Sequence, residues 1–131
     1  MPAAPLIAKP RVFVDAKVLI AGSASTTGAS FILLQLCELT IIEGIISEQV
    51  RIEAERNLKE KLPQALPAYR VLIESALKEV KDPQPESLGR FHGQADAKDL
   101  PILAAAVLND CDYLITFNVK DYHPDPKSIV V

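Results

Sequence analysis

The sequence is poor in the residues on which several kinds of functional site depend. It has 2 cysteines, 2 histidines and no tryptophan among 131 residues. Cys37 and Cys111 are too few for a disulfide scaffold and lack the spacing of a zinc site, so we expect two buried thiols. The formal net charge of −3 argues against a broad basic surface for nucleic acid. It does not exclude an enzyme that meets a phosphodiester through bound cations.

Long apolar runs are also absent. No apolar stretch approaches the roughly 20 residues of a membrane span, and no basic segment followed by an apolar one opens the chain. We therefore expect a cytoplasmic protein with neither a signal peptide nor a membrane partner. The length suits one domain, and the 49% hydrophobic content suffices for a core. Because Ala and Pro dominate the first ten residues, we expect a flexible tail over 1–10 and a single domain over 11–131.

Apolar segments that do not alternate with polar residues are separated by helical patterns. Such strands are typical of a parallel sheet that helices cover on both faces. We predict strands at 11–14, 40–46, 113–117 and 128–131, a short helical turn at 16–21, and helices at 29–38, 48–61, 65–80 and 100–108. Ligands of such sheets bind beyond the carboxyl ends of the strands, which directs attention to the residues after each strand.

Acidic residues recur at those positions. Clustered carboxylates would repel one another unless a cation lay among them, and oxygen ligands favour Mg²⁺ or Mn²⁺. The candidates follow the first and third predicted strands, begin the last helix, or lie on the helix after the second strand: Asp15, Thr116, Asn118, Asp121, Asp96, Asp99, Glu53 and Glu55.

Taken singly, most of these residues also fit a purely structural role. Asp99 could be the N-cap of the last helix, Glu53 could lie on a solvated helix face, and Asp121 could begin a turn. Asp15 is harder to dismiss, because a carboxylate between two apolar runs needs a partner. The recurrence of acids on one topology favours a metal site over these separate roles.

A series of segments resembles the PIN-domain family, and within it the small VapC-type toxin ribonucleases. The resemblance covers nearly all of residues 11–131, in the family's order, and its most specific part is the closing strand with the residues after it. The segments are Val14-Asp15-Ala-Lys-Val-Leu-Ile, Ile46-Ser47 with Glu53 and Asn57-Leu58, Lys98-Asp99 with Ile102-Leu103-Ala104, and Asp112-Tyr-Leu-Ile-Thr-Phe-Asn-Val-Lys-Asp-Tyr122.

The resemblance implies a three-layer α/β/α sandwich with a central parallel sheet. It also implies an endoribonuclease that depends on Mg²⁺ or Mn²⁺, in which a metal-activated water leaves 5′-phosphate and 3′-hydroxyl ends. Asp15, Glu53 and Asp99 match the first three family acids, and Glu53 is preferred to Glu55 for its spacing from Ser47. The fourth position is ambiguous: many members have Asp where this chain has Asn118, and members with Asn there have an acid three residues on, which here is Asp121. The expected metal ligands are therefore Asp15, Asp99, Asn118 and Asp121, with Thr116, Ser47 and Asp96 in support.

Substrate and partners follow from the same resemblance. Lys17, Arg51, Lys98 and Lys120 are candidates to contact RNA, although each also fits an ordinary surface role. The family usually has Asn where this chain has Lys17, which could contact phosphate or compete with the metal for Asp15.

A toxin would have an antitoxin partner, and the apolar segments 31–38 and 66–80 lead us to expect a homodimer.

Two rival functions stay open. The first is a catalytically degenerate PIN module that binds RNA or a protein without cutting, which Lys17 and Asn118 favour. The second is a signalling receiver domain, also a small α/β fold with acids after its first strand. A receiver has adjacent acids there, whereas Asp15 stands alone and Glu53 lies on a predicted helix, so we disfavour it.

Overall fold

A computed structural model describes residues 9–131 of the chain. The tail predicted over residues 1–10 therefore lies almost entirely outside the described residues. Four parallel strands form one sheet in the order β3-β2-β1-β4. The strands are β1 Arg11–Val14, β2 Glu43–Ser47, β3 Leu77–Val80 and β4 Tyr113–Ile115, and the helices are α1 Ala16–Ala24, α2 Ala29–Glu38, α3 Glu48–Lys61, α4 Leu66–Ser75 and α5 Leu100–Leu108.

Helices cover the sheet and give the predicted three-layer α/β/α architecture, which is confirmed. Helix α1 packs against α2, α3 and α4, whereas α5 contacts β2, β4 and the 3₁₀ segment Pro85–Phe91. The central strand β1 is buried because both its neighbours and both layers cover it: Phe13 and Val14 are fully inaccessible. This burial explains why the strands show continuous apolar runs rather than alternation.

Packing is close where β2 passes under α2. A Cβ added at Gly44 would lie 2.6 Å from Cys37 Sγ and 2.7 Å from Leu77 Cδ2. Gly44 therefore lets the helix and β3 approach β2 more closely than any larger residue would allow.

The helix predicted over Ala65–Val80 is wrong in its last five residues. Helix α4 ends at Ser75, and Leu77–Val80 forms β3, whose residues pair with β2 from Gly44↔Leu77 onwards. The apolar residues Ala76, Leu77 and Val80 continue a helical spacing, but the backbone of Leu77–Val80 pairs with β2 instead. Local periodicity could not distinguish the two.

Four other boundaries differ from the sequence prediction. Strand β4 ends at Ile115, two residues before the predicted end at 117. Strand β2 begins at Glu43 rather than at Thr40, whose φ of 59° is incompatible with a strand. Helix α1 runs to Ala24 and takes in all of the turn predicted over 16–21 and the three residues after it. Residues 128–131 form no strand, although Val130 makes one parallel bridge with Tyr113.

No single helix within residues 9–131 is long and apolar enough to cross a membrane. Helices α1 and α2 together meet the length and composition of a span, but they are bent by 92° at the break between them.

Candidate metal centre

Asp15 and Thr116 meet at the carboxyl edge of the sheet because they follow neighbouring strands. Val14 of β1 is in register with Ile115 of β4, so the next residue of each strand lies beside the other. Thr116 Oγ1 donates to Asp15 Oδ2 over 2.8 Å, and the amide of Ala16 donates to Asp15 Oδ1 over 2.8 Å. Both carboxylate oxygens are thus held at the start of α1. Asn118 joins the group, since its backbone N–H donates a hydrogen bond to Thr116 Oγ1 over 3.1 Å.

Glu53 reaches the same edge from α3. This helix begins directly after β2, and buried Ser47 caps it by accepting from the amide of Val50 over 3.4 Å. Glu53 lies one turn after Gln49, so both side chains lie on one face of the helix. Glu55 is directed elsewhere: it accepts a hydrogen bond of 3.2 Å from the hydroxyl of Tyr69.

A third group of acids is assembled by a contact between two loops. Ala95 and Tyr122 form an isolated antiparallel bridge, and the amide of Asp96 donates to the carbonyl of Asp121 over 3.0 Å. One carboxylate oxygen from each of Asp96, Asp99 and Asp121 lies within 4.8 Å of the other two. That separation is within the span of ligands around one hard cation.

Asp99 connects this group to the first two. A pocket of about 280 Å³ is bordered by Asp99 and Ile102 at the start of α5. Residues at the start of α1, on α3 and after β4 complete its wall. The further lining residues are Asp15, Lys17, Gln49, Glu53, Lys98 and Asn118. The structure therefore brings Asp15, Glu53, Asp99 and Asn118 to one pocket, with Asp121 and Asp96 beside Asp99.

The Asp99 carboxylate has no structural task that would explain its position. It stands at the start of α5 but makes no capping hydrogen bond there, and its Oδ2 atom is buried without a partner. Burial raises the pKa of Asp99, as do the charges of Asp121, Asp15 and Asp96, while Lys98 opposes the shift. An unpaired buried oxygen among all-oxygen donors fits a divalent cation such as Mg²⁺ or Mn²⁺.

Two predicted substrate contacts lie away from this pocket. The guanidinium of Arg51 pairs with Glu79 over 2.6 Å and with Glu55 over 3.6 Å. Lys120 is exposed and does not border the pocket. Lys17 and Lys98 do border it, and both are exposed.

Sequence reasoning missed two residues of the site. Gln49 borders the pocket, and its place one turn before Glu53 was a usable signal. Tyr122 is buried, and the charges that raise its pKa come from Asp15, Asp99, Asp121 and Glu53, in addition to the larger effect of burial. No local pattern marks Tyr122, because its surroundings come from distant parts of the chain.

Comparison with known proteins agrees with the fold described above. A chain of the VapBC2 complex from Rickettsia felis, solved bound to a DNA fragment from their promoter, matches the structure with a TM-score of 0.70. The match covers 92% of this chain and 97% of that one at 15% identity, so it shows a shared fold. No curated protein matches the sequence. The family model of the PIN domain matches residues 11–120. The chain therefore belongs to the PIN-domain family.

Proposed function

We propose that this chain is an endoribonuclease that depends on Mg²⁺ or Mn²⁺ and hydrolyses phosphodiester bonds to 5′-phosphate and 3′-hydroxyl ends. The observation that carries the proposal is the Asp99 carboxylate, whose buried Oδ2 lacks a partner beside the carboxylates of Asp96 and Asp121. Such a group is costly unless a cation binds it. Membership of a family of nucleases supports the same conclusion.

Asp15, Asp99 and one of Asn118 and Asp121 would hold the cation. The bound cation would supply an activated water and neutralise charge that gathers on the phosphate oxygens. Asp15 is fixed for this role by Thr116 and by the first amide of α1. Glu53, at the wall of the pocket, would accept a hydrogen bond from the attacking water and orient it.

The phosphate backbone of RNA would be attracted by the lysines around the pocket. Lys17 and Lys98 border it and are exposed, whereas Asp15, Glu53 and Asp99 are only partly exposed, so each lysine can reach a phosphate at the rim. Lys120 would act farther out. Arg51 contributes least, because two carboxylates already neutralise its charge. Contacts of this kind fix the position of the backbone without reading the bases.

We also propose that the protein acts in the cytoplasm as the toxin of a toxin–antitoxin pair. The fold it shares with a chain of the VapBC2 complex supports this proposal. An antitoxin and a second copy of the chain would need apolar surface to cover, and Ile32 on α2 and Val71 on α4 are 58% and 53% exposed. Leaving such side chains in water is unfavourable, so partner binding would bury them.

A degenerate PIN module that binds without cutting is the second candidate. Lys17 favours it, because its ammonium at the pocket wall can neutralise the charge of Asp15 in place of a divalent metal ion. The two candidates differ in one measurable property: the nuclease must bind a divalent cation at Asp99, whereas a binding module need not.

Cleavage of a total-RNA pool with added Mn²⁺ tests the proposal. We expect wild-type protein to cut, and Asp15→Asn and Asp99→Asn each to lose more than about 100-fold of the rate, since loss of a ligand should exceed the loss of a residue behind it. Asp110→Asn is the matched control. Asp110 is exposed at the opposite end of β4, and its φ of 56° suits asparagine equally well.

The ends of the products give a second readout. Ligation that requires a 5′-phosphate should succeed without prior phosphorylation. Cleavage that persists unchanged in excess EDTA would refute a metal-dependent reaction. Absence of cleavage together with Mn²⁺ binding that Asp99→Asn does not weaken would favour the binding module.

A further inference from the structure

Tyr122 carries a buried hydroxyl for which the fold provides no partner. Its ring belongs to the hydrophobic core, and the residue is only 5% exposed. Its oxygen and Asp99 Oδ2 are the two buried side-chain polar atoms without a hydrogen bond within residues 9–131. Asp99 shares a carboxylate cluster with Asp121, and Asp121 is the chain neighbour of Tyr122. The hydroxyl of Tyr122 can donate a hydrogen bond, whereas the carboxylate oxygen of Asp99 can accept one.

The fold satisfies another buried phenol. Tyr69 is 1% exposed, and its hydroxyl donates to Glu55 over 3.2 Å. A phenylalanine would fill the core at position 122 as well as tyrosine does, without burying an unpaired hydroxyl. The oxygen of Tyr122 therefore points to a partner that binds in addition to the chain's own residues.

The surroundings of this hydroxyl indicate what that partner is. Backbone contacts hold Tyr122 next to Asp121 and opposite Ala95, which precedes Asp96. A phenol is protonated at neutral pH. Tyr122 therefore offers an O–H donor beside Asp121, at the contact between the two loops that carry Asp96 and Asp121.

We propose that Tyr122 is a positioning residue of this centre: when a divalent cation is bound, the Tyr122 hydroxyl donates a hydrogen bond to an oxygen held among the carboxylates. The inference rests on the cation binding of the proposed function but not on cleavage of RNA. The bond would orient the oxygen ligands and stabilise the loaded site. Residues that act in this way through a ligand change metal affinity without contacting the metal.

The test compares Mg²⁺ binding by the full-length wild type and by Tyr122→Phe, measured by calorimetry. We expect the variant to bind Mg²⁺ about 10-fold more weakly, as is usual when a partner of a metal ligand is lost. Because the chain has no tryptophan, near-ultraviolet difference absorption reports its 3 tyrosines. Mg²⁺ should give wild type a difference spectrum that Tyr122→Phe lacks. Tyr113→Phe is the matched control and should keep the signal, because Tyr113 is 43% exposed at the other end of β4.

The opposite outcome is equally distinct. If the hydroxyl is simply unpaired, Tyr122→Phe should raise the melting temperature with and without Mg²⁺ and leave the affinity unchanged, which would overturn the proposal. Should Tyr122→Phe fail to fold, a wild-type spectrum that Mg²⁺ does not alter would overturn it as well. Wild-type protein that binds neither Mg²⁺ nor Mn²⁺ would refute the proposed function too, whereas equally tight Mg²⁺ binding by both proteins refutes only the role of Tyr122.

Discussion

Replacing Asp99 by asparagine should stabilise the metal-free protein. The Asp99 carboxylate carries a charge in a half-buried position, one of its oxygens is unpaired, and three other aspartates lie near enough to raise its pKa after the larger effect of burial. Asparagine keeps the shape of the side chain and removes the charge. Asp99→Asn therefore relieves the repulsion at the start of α5.

The size of the effect follows from the unpaired atom. A buried polar group without a partner costs about 1–3 kcal/mol, and asparagine keeps part of that cost, so we expect a gain of about 1 kcal/mol. In a domain of this size such a gain raises the melting temperature by roughly 4 °C. Mg²⁺ at a hundred times its Kd would stabilise wild type by about 2.7 kcal/mol, which exceeds the gain of the variant. The order of stability should therefore reverse when Mg²⁺ is added.

Thermal unfolding in EDTA and in saturating Mg²⁺ measures both values. The pKa of Asp99 is higher in the folded protein than in the unfolded chain. The cost of its charge to folding therefore shrinks as the pH falls through the folded pKa, and it is gone below the unfolded pKa. The difference between the two proteins in EDTA should thus shrink on acidification. Asp110→Asn, the exposed control, should stay within about 0.5 kcal/mol of wild type. A metal-free Asp99→Asn protein that melts below wild type would refute the reasoning, because the carboxylate would then be a structural contact.

Three further predictions concern residues outside the site. Gly44→Ala should lower stability by about 1–3 kcal/mol in chemical denaturation, because its Cβ would overlap Cys37 and Leu77. Arg51→Met should cost less than about 1 kcal/mol, since its ion pairs are partly exposed, and calorimetry should show Mg²⁺ affinity unchanged. Burial raises the pKa of Cys37 and of Cys111 to about 11. Native protein at pH 8 should therefore react with thiol reagents far more slowly than unfolded protein. The melting temperature should also fall as the pH rises from about 9 to about 11, because only the unfolded thiols ionise in that range.

The sequence predicted the layers of the fold and most of the pocket for the same physical reason. Strands that are buried on both faces read as apolar runs, and the residues after parallel strands share one edge of the sheet. Asp15 and Thr116 could therefore be placed together from the order of the chain alone. Strand β3 escaped prediction because it lies at the edge of the sheet. Its Lys78 and Glu79 are exposed, so its residues are spaced as on an amphipathic helix.

The roles of single residues were harder to read. Asp99 occupies the N-cap position of α5, and only the structure shows that its carboxylate accepts no capping hydrogen bond from that helix. Arg51 lies on the helix that bears Glu53, but its guanidinium pairs with Glu79 of β3, a strand that the sequence did not predict. The surroundings of Tyr122 include its neighbour Asp121 and three acids from other segments, Asp15, Glu53 and Asp99. For all three residues, the deciding information is the three-dimensional surroundings and not the local sequence.

The bridge between Ala95 and Tyr122 means that the acidic site can open without the sheet melting. Two hydrogen bonds flank the bridge, from the amide of Asp96 to Asp121 and from the amide of His123 to Gln94. Neither is part of the four-stranded ladder, so the two loops can separate while the strands stay paired. The deuterium exchange of these two amides will therefore report on the closed state of the site while the strands themselves remain protected.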